Sequence, residues 1–174
     1  MRSKKSVIWV SAVLYIAMGV IVISILLTAA IPVVNKLKDK NTFIDTKRLL
    51  YVLDNNIKTV AKEGPGSQRE LNPFVLNAGK LFIYDNNETI VWTMETTADL
   101  IEPEVSISEG VLELYLEKTP VVGKNVIKAS MEYGSYDLKL SSPFKPPFSG
   151  RYSVLVKHAG NYTLNKPVIE INVS

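Results

Sequence analysis

The chain has 174 residues, a net charge of +3, 47% hydrophobic residues and no cysteine. That length holds one ordinary domain with an appendage, and the missing cysteine excludes disulfide scaffolds, thiolate metal sites and cysteine nucleophiles. A single histidine, His158, excludes a histidine-rich metal site within one chain. The charge is uneven: residues 1–63 carry ten Lys/Arg and four Asp/Glu, residues 64–174 ten and thirteen. The positive excess flanks an apolar run, as it does beside lipid headgroups, and leaves no basic face downstream for nucleic acid.

Residues 1–6 form a basic leader with Arg2, Lys4 and Lys5. From Val7 to Val34 no charged residue occurs, and the polar side chains are Ser11, Ser24 and Thr28, with Trp9 and Tyr15 amphipathic. About 20 apolar residues in a helix cross a bilayer core of roughly 30 Å, so residues 7–34 are long enough to span it. Three readings compete: a cleaved secretory signal, with Thr28-Ala29-Ala30 as a small-residue site; an uncleaved anchor; and a short leader cut from a retained helix. The apolar run is too long for an ordinary signal. Basic residues flank both ends, so charge gives no orientation. Economy decides instead: six residues precede the run and 140 follow it, so the carboxyl-terminal part is expected outside the cell, and its three acceptor sequons, at Asn87, Asn161 and Asn172, agree with that.

Residues 35–63 read as a helical extension. Val33, Val34, Leu37, Ile44, Leu50, Leu53, Ile57, Val60 and Ala61 recur at helical spacing. Lys36, Asp39, Lys40, Asp45, Asp54 and Lys58 fall mostly off that stripe. Glu63-Gly64-Pro65-Gly66 marks the end. Pro32 removes one backbone bond and predicts a kink or a local melt, and Asn41-Thr42 offer a second break. The stripe from Leu49 to Ala61 is expected to pack on the downstream domain; nearer the apolar run, a partner helix is as good a reading.

Residues 64–174 change period. Leu81–Tyr84 and Thr89–Thr93, around Asp85-Asn86-Asn87, predict a hairpin. Leu112, Leu114 and Leu116 alternate with Glu113, Tyr115 and Glu117, so the leucines face inward. Residues 126–133, 136–140, 152–156 and 168–173 are further strand candidates, punctuated by Gly110, Gly123, Gly134, Pro143, Pro146-Pro147, Gly150 and Gly160. The pattern predicts an antiparallel sandwich-like head, and an α+β chain overall.

Catalytic signals are weak. Gly64-Pro65-Gly66 lacks phosphate-loop spacing. His158 beside Gly160 reads as a surface or strand-end residue, with no spacing that makes a triad of it with Ser153 and Asp137. Glu102, Glu104 and Glu109 lack the alternating ligand pattern of a calcium loop. Phe144, Phe148, Tyr152 and Tyr162 are either a ligand patch or core packing. The expectation is a non-enzyme with no cofactor and no metal.

The layout of Lys4-Lys5-Ser6, the run from Val7 to Ala30, Pro32, the stripe to Ala61 and a β head resembles archaeal type IV pilin-like proteins, including minor pilins and archaellum-associated subunits. The resemblance is one of architecture over the whole chain. It implies a prepilin peptidase cutting between Ser6 and Val7 after Lys5, a helix kinked at Pro32, and an assembly stripe through Val33, Leu37 and Ile44. It also implies membrane lipid, then copies of itself or related pilin subunits, as partners, in a surface filament used for adhesion or contacts. Two residues depart from the family pattern: Ser6 stands where Gly or Ala is commonest, and Ser11 where bacterial pilins carry glutamate. The alternative is a single-pass anchored β domain that binds an extracellular partner without polymerising.

Overall fold

The structure, a computed structural model, describes the backbone from Lys4 to Ser174 and the side chains from Trp9 onward. One helix, α1 (Lys4–Glu63), precedes eight strands: β1 (Gln68–Tyr84), β2 (Thr89–Thr96), β3 (Ser106–Glu109), β4 (Leu112–Lys118), β5 (Asn125–Glu132), β6 (Asp137–Leu140), β7 (Phe148–Thr163) and β8 (Lys166–Val173). The chain divides into two compact units, residues 1–38 and 39–174. The first unit is helical throughout its described length. The helix continues through Pro32, so the local melt expected there does not occur.

The second unit is the remainder of α1 together with a mostly antiparallel eight-stranded sheet, in the order β3-β4-β5-β2-β1-β7-β8-β6. β6 runs parallel to β8, a departure from the all-antiparallel expectation. The predicted hairpin is β1–β2, with Ile83 opposite Ile90 and Leu81 opposite Trp92. Its register builds one row across five strands: Leu81, Trp92, Ala129, Leu114 and Ile107. Small Ala129 stands between Trp92 and Leu114 in this row, a cross-strand pairing of the kind that stabilises sheets. Leu112, Leu114 and Leu116 are all buried.

Helix and sheet share one core. Phe43, Leu50, Leu53, Ile57 and Val60 of α1 join the inner faces of β1, β2, β4, β5, β7 and β8. Phe43 stacks near Trp92 with ring centres 6.4 Å apart. This packing corrects the break expected at Asn41-Thr42: Thr42, Phe43 and Thr46 are buried, and their tertiary contacts override weak local propensity. α1 stops at Glu63, where the Gly64 N–H donates to the Val60 carbonyl at 3.2 Å. The Ser67 hydroxyl reaches the Val60 and Gly64 carbonyls at 2.8 and 2.7 Å, adding a second donor to each at the helix end.

Two strands are much longer than the sequence suggests. β1 starts at Gln68 and carries Pro73, while β7 absorbs Gly150 and Gly160, which had read as punctuation. Irregular register beside Pro73, before Leu81 and after His158 lets the paired strands bend without ending. Gly79 lies at one such irregularity with φ of 83°. A Cβ there would come within 2.5 Å of the Thr93 carbonyl oxygen and 2.6 Å of Trp92 Nε1, so both the backbone angle and the space require glycine.

Candidate functional site

The most unusual surface belongs to the first unit. Trp9, Leu14, Ile16, Ile21, Ile25 and Leu26 are all more than half exposed, and so are Ile31, Val33, Val34 and Leu37. Within α1 an 18-residue window reaches a mean hydropathy of 2.7 with none of it buried. Among the described residues this is the one helix long and apolar enough to cross a membrane. Its hydroxyls suit an apolar solvent. Ser24 Oγ donates to the Val20 carbonyl and Thr28 Oγ1 to the Ser24 carbonyl, each at 2.8 Å. Hydroxyls bonded back to the preceding turn need no outside partner in hydrocarbon.

The predicted processing residues Lys5, Ser6 and Val7 fall in the first turns of α1, and their side chains lie outside the described residues. Of the predicted assembly stripe, Val33 and Leu37 are open, while Ile44 is half-buried within the second unit. Pro32 is exposed. The sequon residues Asn87 and Asn161 are exposed, and Asn172 is half-buried in β8.

Polar contacts fix α1 to the sheet inside the second unit. Asp39 Oδ2 accepts from the Thr97 N–H at 2.9 Å and from the Thr96 and Thr97 hydroxyls at 3.0 and 3.3 Å. Lys47 binds both oxygens of Glu109 at 2.6 Å, and Tyr51 donates to the Glu109 carbonyl at 2.8 Å. Asp54, expected off the stripe, is 7% exposed. It accepts from Tyr133 Oη at 3.2 Å and from Lys58 Nζ at 2.8 Å. Burial first, and then the Asp54 charge and hydrogen bond, push the Tyr133 phenol well above its ordinary pKa.

His158 is also corrected. It is not at the surface: it sits on the core face of β7, 1% exposed, opposite Ile169. Nδ1 accepts from the Gly160 N–H at 3.0 Å, and Nε2 is buried without a hydrogen-bond partner. The imagined triad is taken apart. Ser153 donates to Glu70 at 2.7 Å, and Asp137 pairs with Lys139 at 3.1 Å. Burial pushes the Asp137 carboxyl up, but Lys139, the Thr163 hydroxyl and Lys166 more than reverse that, leaving its pKa below the usual value. Glu109 is occupied by Lys47, and no metal-binding group of three His, Asp or Glu occurs among the described residues. Phe144 and Phe148 meet Tyr152 edge-on, whereas Tyr162 stands apart against His158. Phe148 is core, so the four aromatics form no single patch.

Sequence reasoning missed the Asp54–Tyr133 pair, the Asp39 clamp and the approach of Gly79 to Trp92. Asp54 had one signal, its position next to Leu53 and one turn before Lys58; the other contacts depend on register between distant segments. No known protein family, curated protein or solved structure matches the chain.

Proposed function

We propose that the chain is a structural subunit of an archaeal type IV pilus-like surface filament, anchored and then assembled through its amino-terminal apolar helix. The head is the exposed part, outside the cell, available for adhesion or other contacts. The observation that carries this is the uncovered apolar surface from Trp9 to Leu37, which includes Val33 and Leu37 beyond the stretch needed to cross lipid. Such a surface requires a covering solvent, first lipid and then neighbouring helices. Burial at roughly 25 cal/mol per Å² over this length holds subunits together without covalent links. The reading assigns the protein no catalysis and no cofactor; its helix serves as the site. Prepilin peptidase, acting between Ser6 and Val7, is the processing partner this reading requires. The sequons at Asn87, Asn161 and Asn172 are the glycan acceptors it offers.

One observation favours a second reading, a non-polymerising anchored domain that binds an extracellular partner. The head covers its own stripe from Phe43 onward, and Ile44 is half-buried there, so less of the extension is free for neighbours than the spacing suggests. The test therefore uses Leu37→Glu and leaves Ile44 alone. Leu37 is 56% exposed, so its replacement spares the head fold. The filament reading expects inserted protein with a folded head but no high-mass material on the cell surface. Unchanged assembly by this variant, or a wild type that is monomeric on cells carrying its native machinery, favours the anchored domain.

A further inference from the structure

A second apolar surface lies at the β4–β5 turn. Val122 is 99% exposed and Val121 55%. The turn is built to hold them out. The Lys124 N–H donates to the Val121 carbonyl at 3.1 Å and closes the turn. Gly123, with φ of 77°, occupies its left-handed position, where a larger residue is strained. The Thr119 hydroxyl braces the base, donating to the Lys124 carbonyl at 2.8 Å and accepting from the Val121 N–H at 3.3 Å. Two valines presented at the apex of a braced turn have no core to serve.

The position of this turn in the fold suggests its occupant. Lys118 and Asn125 pair at its base, and Asn125 pairs in turn with Thr96 at the end of β2. Thr96 and Thr97 bind Asp39, the first residue of the second unit. The valine tip and the entry of α1 into the head are thus at the same end of the head. Asp39 follows Val34, the end of the uncharged run, by five residues. Five residues span at most about 18 Å even fully extended. Beyond the hydrocarbon, headgroups occupy roughly 5–8 Å on each side. Lys118 and Lys124 flank the tip, and Lys36, Lys38 and Lys40 lie along the connecting stretch. The acidic neighbours are engaged: Glu95 with Lys124 at 3.8 Å, Glu117 with Lys128 at 2.5 Å, and Asp99 with Asn125 at 3.3 Å.

We infer that Val121 and Val122 dip into the headgroup layer of the bilayer that holds the chain before assembly, giving the head a second point of membrane contact. The inference rests on the anchored helix of the proposed function. The valines enter the interface, and the Lys118 ammonium group beside the tip meets lipid phosphates, as basic side chains do at a membrane surface. The β7–β8 turn is the internal control. Leu164 at its tip is 91% exposed and equally apolar. It lies at the other end of the head, where Gly160 approaches Pro65 just beyond the end of α1.

The chain contains no cysteine, so V122C, L164C and G19C each give a unique labelling site in the full-length protein. Each variant is labelled with an environment-sensitive fluorophore and placed in phosphatidylcholine nanodiscs. Nitroxide lipids, spin-labelled at the headgroup or deep in the chain, and aqueous iodide then report the surroundings. The V122C label is expected to be quenched by headgroup nitroxide and shielded from iodide, the L164C label by the reverse, and the G19C label by deep nitroxide. A V122C label open to iodide, with G19C still quenched in lipid, overturns the inference and leaves the anchored helix intact. A V122C label shielded from both quenchers sits against protein and overturns the inference in favour of a subunit contact. A G19C label in water removes the anchored reading, and this inference with it.

Discussion

α1 contains two apolar stretches whose side chains meet opposite fates. In the first unit Ile25, Leu26, Val33 and Leu37 stand more than half exposed; in the second, Leu50, Leu53, Ile57 and Val60 are within 1% of complete burial. Their residue types are nearly the same. The flanking chemistry differs. The first stretch has no charge for 28 residues, from Val7 to Val34, whereas the second alternates its aliphatic residues with Asp45, Lys47, Arg48, Asp54 and Lys58. A helix apolar all round asks for an apolar solvent, and one with a single apolar stripe asks for a domain to lie on. Hydrophobic content alone does not separate the two stretches; the distribution of charge around the helix does.

A matched pair of truncations separates the two stretches. Leu53→Ala should lower the stability of the head by about 2–5 kcal/mol, the usual range for a fully buried leucine. Leu26→Ala should change it by less than about 0.5 kcal/mol, as expected away from the folded core. Denaturant titration of detergent-solubilised full-length protein, followed by Trp92 fluorescence, reads both. Equal losses would mean that the two stretches share one core.

On the sheet side the sensitive position is Gly79. Gly79→Ala should cost about 1–3 kcal/mol, the range for backbone strain at a left-handed position, with the contact to the Thr93 carbonyl added. The same titration checks it, and a loss below about 0.5 kcal/mol would show that β1 relaxes freely there.

Smaller effects concern the polar seam between α1 and Tyr133, the residue that follows β5. Tyr133→Phe removes one of the two hydrogen bonds to buried Asp54, for an expected loss of about 1–2 kcal/mol. The pH dependence has a definite sign. The folded phenol binds its proton more tightly than the unfolded one, so its contribution is complete below the ordinary tyrosine pKa of about 10. It is lost as pH rises through and above that value toward the folded pKa. Stability should therefore decline above about pH 10 in the wild type and less steeply in Tyr133→Phe. Equal slopes would place Tyr133 in water.

The fold class was legible because its signals are local. The hairpin from Leu81 to Thr93 carries its own turn, and Leu112, Leu114 and Leu116 alternate with polar neighbours. What was not legible depends on residues far apart in sequence. The first half of β1 has no clear alternation and contains Pro73, and it becomes a strand because β7 pairs with it from Gln68 onward. β3 is four exposed residues whose strand character comes from β4. His158 looks like a turn residue beside Gly160 until the register shift carries β7 past it. Asp54 looks solvated until Tyr133, 79 residues later, supplies a donor. The exposed apolar helix was the clearest feature in the sequence because a span needs no register, only length and the absence of charge.

The proposed filament sets the open apolar part of α1 against neighbouring helices, those of other copies of this chain or of related subunits. The most direct measurement is disulfide trapping of L37C on cells carrying the native assembly machinery, in a chain with no other cysteine. Oxidant-dependent, reducible dimers are expected in sheared surface filaments, and none from a Val52→Cys control on the exposed side of the head-packed part of α1. Monomeric L37C with a normally inserted helix and a folded head would leave the chain a non-polymerising anchored domain.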